Sequence, residues 1–105
     1  MDFNDYQAEA RKLDIYPKDN RIIGHTLGLA GESGEVAEKV KKHLRGDNIP
    51  TIREDIANEL GDVLWYLSNL ACDLNYSLEE VAELNIKKLK DRKARNVQRG
   101  QGDKR

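Results

Sequence analysis

Between Thr51 and Leu74 the chain reads TIREDIANELGDVLWYLSNLACDL, a run without proline and with one internal glycine. At 100° per residue, Ile56, Leu60, Val63, Leu64, Leu67, Leu70, Ala71 and Leu74 fall on one continuous arc. A strand would alternate its faces every second residue, so this segment is a helix with one face committed to a partner. With 105 residues there is room for one core and few partners. A chain of this size buries only about two-thirds of its unfolded surface.

The punctuation on either side supplies those partners. "RGDNIP", Arg45 to Pro50, stops an upstream helix that begins near Asn20: Gly46 suits the left-handed C-terminal position and Pro50 forbids continuation. Thr51 with Glu54, and Ser77 with Glu80, have the capping-box spacing and open the third and fourth helices. The third ends near Asn75 and the fourth near Ala94. A short first helix, about Asn4 to Leu13, ends before Tyr16-Pro17. No strand signal or repeat is present. The expectation is all-α: an antiparallel bundle of three main helices plus a short N-terminal one. It occupies residues 1–95, and 96–105 form a basic, flexible tail.

Composition narrows the setting. Charged residues make up 35% of the chain and no apolar run approaches the roughly 20 residues that span a bilayer. The acidic, polar start MDFNDYQAEARK is unlike a secretory signal, and the lone Cys72 reads as a small buried hydrophobe. A reducing cytoplasm is the expected location. The net charge of −1 conceals an asymmetry. Nine of the 18 Lys and Arg lie at 87–105 beside two of the 19 acids, so residues 1–86 carry nine basic groups against 17 acidic ones, net −8.

The acids are ordered. Glu32 borders the apolar arc of the second helix (Leu29, Val36, Val40, Leu44), with Glu35 a little further round. On the third helix Asp55, Glu59, Asp62, Tyr66 and Asp73 form a stripe beside the arc. Glu32/Glu35 and Glu59/Asp62 are thus two i, i+3 carboxylate pairs at core margins. Such carboxylates repel one another and resist desolvation, and a divalent cation removes both penalties. The donors are all oxygen, and no Glu is followed by His three residues on as in di-iron bundles, which favours Mg²⁺, with Mn²⁺ as substitute. Mg²⁺ held this way commonly completes its shell with phosphate oxygens. Gly28, Gly31 and Gly34 recur every three residues on the same helix. Each costs about 1 kcal/mol relative to alanine, which points to a close neighbour or ligand.

With these residues in view, GLAGESGEVAEKVKKHLRGD followed by EDIANELGDVLWYLSNLA resembles the MazG-like all-α nucleoside triphosphate pyrophosphohydrolases. Their E-x-x-E, spacer, E-x-x-D pattern reads here as Glu32-Ser-Gly-Glu35, 23 residues, then Glu59-Leu-Gly-Asp62. The similarity covers roughly residues 20 to 95. It implies Mg²⁺-dependent hydrolysis of an NTP or dNTP to the monophosphate and pyrophosphate. It also implies a homodimer or a homotetramer built as a dimer of dimers, with sites between helices and often shared by subunits. Glu32, Glu35, Glu59 and Asp62 would hold metal, and Glu35 or Glu38 would act as base. Lys39, between Glu32 and Glu35 on the wheel, is the first phosphate contact expected. Lys88 and Arg92 follow, and with Asn85 they resemble the family's fourth-helix polar residues. His25 and Tyr66 share the carboxylate stripes and are expected at the base. Trp65 points off the apolar arc, as an interface residue would, and His43 suits a helix C-terminus. The rival reading is a non-catalytic helical module using its basic tail on nucleic acid; the acidic body and the lack of a nucleic-acid motif argue against it.

Overall fold

The computed structural model describes residues 1–105 as four α-helices and no strand. They are α1 (Phe3–Lys12), α2 (Arg21–Leu44), α3 (Ile52–Asp73) and α4 (Leu78–Ala94), with a 3₁₀ turn at Lys18–Asn20 leading into α2. None is long and apolar enough to cross a membrane.

Caps account for the boundaries, with one correction. Ser77 is extended and its hydroxyl accepts the Glu80 N–H at 3.0 Å, while the Glu80 carboxylate accepts the Ser77 N–H at 3.0 Å. The expected box at Thr51 does not form. Thr51 lies at φ −96°, ψ 16°, outside the extended conformation a capping side chain needs, and its hydroxyl donates to Asp55 at 3.0 Å. A box absent from the sequence reading closes α1, where Asp2 and Asp5 cap each other's backbone N–H groups. Gly46 takes φ +95°, as a chain reversal after α2 requires.

Helices α2 and α3 pack along their length as an αα-hairpin, with α1 laid against α3. Gln7 of α1 fastens the other end: its amide donates to the carbonyls of Ser68 and Tyr76, and its oxygen accepts the Leu78 N–H. Helix α4 touches α1 and α3 only, and makes no contact with α2.

The chain is short of interior. Seven of 105 residues are buried, and four of those are polar: His25, Ser68, Asn69 and Arg92. Ile22, Ile23, Leu27, Leu44, Leu60, Leu84 and Ile86 are each more than half exposed. The radius of gyration is 16.5 Å, against about 13 Å for a compact 100-residue domain. The apolar stripes of α2, α3 and α4 are therefore only partly covered within one chain.

Candidate metal and nucleotide site

Three contacts set α2 against α3, and they ascend one helix as they descend the other. At the open end of α2, His25 is fully buried. Its Nδ1 lies 2.5 Å from Asp73 Oδ2 and its Nε2 lies 2.9 Å from Asp14 Oδ1. The ring is thus clamped between two carboxyl groups, one at each nitrogen. Arg11 reaches Asp73 at 2.7 Å, and Arg21 Nε stands 3.0 Å from Asp14 Oδ2. Burial would raise the Asp14 carboxyl, yet the hydrogen bonds from His25 and the Tyr16 N–H, with the His25 and Arg11 charges, hold it below the usual range. Its contribution to stability is thus complete above about pH 4 and is lost as pH falls below that.

One turn on, the helices touch through Gly28. A Cβ at Gly28 would overlap the Tyr66 ring, so the glycine is what allows α3 this close. The Tyr66 hydroxyl is 3.0 Å from that of Tyr16. That hydrogen bond, then burial and the nearby Tyr16, Glu32 and Asp62, push the Tyr66 phenol up to about 12.

The next turn carries the acids. Oxygens of Glu32, Glu59 and Asp62 lie within 4.8 Å of one another. Burial, then the neighbouring carboxylates of Glu59, Asp62 and Glu35, hold the Glu32 carboxyl above its usual value. Oxygens bound to one Mg²⁺ at about 2.1 Å stand no more than about 4.2 Å apart, so flexible carboxylates at this spacing fit such an ion after a small contraction. Glu35 is outside the cluster but close enough to bear on Glu32. Lys39 Nζ is 3.6 Å from Glu59, across the hairpin. Around them, Cβ atoms on Gly31, Gly34 and Gly61 would meet nothing within 4 Å. These glycines face open space that no part of this chain fills.

Other expected site residues stand elsewhere. Glu38 is exposed and pairs with Lys41 at 2.8 Å; that hydrogen bond lowers its carboxyl from the usual range. His25 is sealed inside its two carboxylates and has no face for a base. Tyr66 keeps its place beside the acids, though its ring is spent on Gly28 and its hydroxyl on Tyr16. Asn85 and Lys88 line a groove on α4, and Lys88 and Arg92 both pair with Asp103. The ion pairs of Lys88 and Arg92 are with Asp103 and not with the clustered carboxylates. Trp65 has neighbours within the chain too. It is half-buried, with its ring edge-on to His25 (centroids 6.1 Å apart) and Tyr66 (5.0 Å). The wheel missed Asp14, which no helical period could connect to His25 or Asp73.

Comparison with known proteins gives a family. Residues 24–97 match the model of the MazG nucleotide pyrophosphohydrolase domain. The chain is similar to the "Gene 37 protein" of Mycobacterium phage L5, 49% identical over 109 aligned positions that cover 95% of this chain and 96% of that protein. No solved structure matches.

The crowding of Glu32 gives a testable sign. A carboxyl raised in the folded state favours folding while protonated, and that advantage is lost as pH rises through its folded pKa. Glu32→Gln is therefore expected to raise the unfolding temperature of the metal-free protein at pH 7 and to change it little at pH 4. Thermal denaturation at the two pH values checks this; equal shifts would mean the carboxylates do not strain the hairpin.

Proposed function

Because the chain belongs to the MazG nucleotide pyrophosphohydrolase family, we propose that it hydrolyses a nucleoside or deoxynucleoside triphosphate to the monophosphate and pyrophosphate. The observation that carries this reading is the convergence of Glu32, Glu59 and Asp62, one acid from the first motif pair and both from the second.

Glu32, Glu59 and Asp62 are the residues to hold Mg²⁺, with Glu35 one turn along α2 as a further ligand or as the base. The bound cation would neutralise triphosphate charge and acidify a water molecule. Water attacks the α-phosphorus, the α–β anhydride bond breaks, and pyrophosphate leaves. Glu35 suits the role of proton acceptor from that water, since it is exposed and no cation pairs with it. Glu38 is the weaker choice because Lys41 already engages it. Lys39 is poised to exchange Glu59 for a phosphate oxygen. Tyr66, next to Glu32 and Asp62, walls one side of the site.

Lys88, Arg92 and Asn85 join this site from a second copy of the chain. Three observations support a homodimer or a dimer of dimers: the missing interior, the exposed apolar stripes, and the separation within one chain of the α4 cations at 87–93 from the α2 carboxylates at 32–38. A neighbour's α4 would supply apolar cover and opposite charge together. For the nucleic-acid alternative, four of the nine cations at 87–105 are already engaged within the chain. Arg95 pairs with Asp91, Lys88 and Arg92 pair with Asp103, and Arg105 binds carbonyls.

Release of pyrophosphate from a panel of NTPs and dNTPs with Mg²⁺ tests the reaction. Glu59→Gln is expected to lose about 100-fold or more in kcat. Inorganic phosphate in place of pyrophosphate, or activity that survives the substitution, would overturn the assignment. Sedimentation equilibrium checks the assembly: a mass of two or four 12.0 kDa chains is expected, and a monomer at micromolar concentration would rule out a composite site.

A further inference from the structure

Residues 96–105 fold back on α4 through one carboxylate. Asp103 Oδ1 lies 2.5 Å from Lys88 Nζ and 3.2 Å from Arg92 Nη2, and Arg92 also donates to the Asp103 carbonyl. The Arg105 guanidinium closes the segment into a hook, donating to the carbonyls of Val97 at 3.0 Å, Gln98 at 2.8 Å and Gly102 at 2.6 Å. Gly102, at φ +83°, makes the reversal that brings Arg105 round. The hook borders a groove of about 640 Å³ lined by Tyr76, Leu84, Asn85, Lys88 and Asp103, among others.

The pairing is lopsided. Arg92 is 6% exposed and has no other acid, whereas the Asp103 side chain is 76% exposed on a terminal segment. Arg92 is built into α4, and its anion is exposed on a segment outside the helices. We propose that Asp103 is an internal stand-in for phosphate: the hook closes the Lys88/Arg92 anion site in the resting chain, and the phosphates of an incoming triphosphate displace it. This rests on the reading that Lys88 and Arg92 contact substrate phosphate.

Charge sets the direction of the exchange. A carboxylate offers one negative charge and two oxygens. A triphosphate offers several of each, and a guanidinium fork grips phosphate in bidentate fashion. An ion pair with one member in solvent holds weakly, so the closed hook lowers the apparent affinity for phosphate without abolishing it. The Lys88 and Arg92 contacts also keep the Asp103 carboxyl below its usual range, so the hook stays charged and closed at neutral pH.

The test uses the full-length chain and inorganic triphosphate, without divalent cation, so that the acidic cluster repels the probe and the α4 cations report alone. Asp103→Asn removes the charge from an exposed position, which spares the fold. By calorimetry it is expected to bind triphosphate about fivefold more tightly than the parent chain. In ¹⁵N spectra, triphosphate is expected to move the Gly100 and Gly102 amides of the parent towards the positions they already hold in Asp103→Asn. Equal or weaker binding by the variant, or amides unmoved at saturation, overturns the proposal. Nucleotide turnover is a separate readout. A chain that hydrolyses nucleotides with a static hook loses only the hook, and one whose hook opens without turnover of any nucleotide loses only the pyrophosphohydrolase reading.

Discussion

The ring of His25, held between Asp14 and Asp73, is the contact on which the rest of the structure depends. It joins the segment after α1 to α2 and α3, and Arg11 and Arg21 complete the charge balance. Two buried carboxylates without those cations would be costly, so no sliding of α2 along α3 is tolerated at this end. The register fixed there brings Gly28 under Tyr66 one turn on, and Glu32 opposite Glu59 and Asp62 on the turn after that. A slip of one turn would part the acids. In a chain with so little apolar interior, a paired polar cluster specifies the hairpin where side-chain packing alone would leave it loose.

Along the same pair of helices, charge is treated in two opposite ways. Near His25 every carboxylate has a cation, and Asp14 is held below its usual range. Two turns further, Glu32, Glu59 and Asp62 share a single Lys39 at 3.6 Å, and Glu32 is held above its usual range. Satisfied charges make the frame; unsatisfied ones need something from outside. The helix glycines divide similarly. Gly28 is required by packing, while Gly31, Gly34 and Gly61 face open space and lower helix stability with no return inside the chain.

The period of α3, the RGDNIP stop and the two carboxylate pairs were legible because each is local. A helical wheel finds the face, and motif spacing finds the acids. What the sequence concealed was made by contacts between elements. His25 shares a stripe with Glu32, which suggested a base contact, but its true partners come from the loop after α1 and from the end of α3. Trp65 lies off the apolar arc of its own helix, yet it meets a ring that the wheel of α3 cannot show. Lys88 and Arg92 read as phosphate contacts, while the anion that meets them in the structure is Asp103 of the same chain. Thr51 had the spacing for a capping box and lacked the backbone conformation. That is a tertiary decision, taken where the loop meets α3.

The central claim is that Glu32, Glu59 and Asp62 act together as one divalent-cation site. Titration of the full chain with Mn²⁺, followed by electron paramagnetic resonance of the free ion, tests it most directly. The account predicts a saturable carboxylate site that is lost in Glu32→Gln and in Glu59→Gln and kept in Glu38→Gln. Binding that survives both of the first two substitutions, or that Glu38→Gln removes equally, would contradict it.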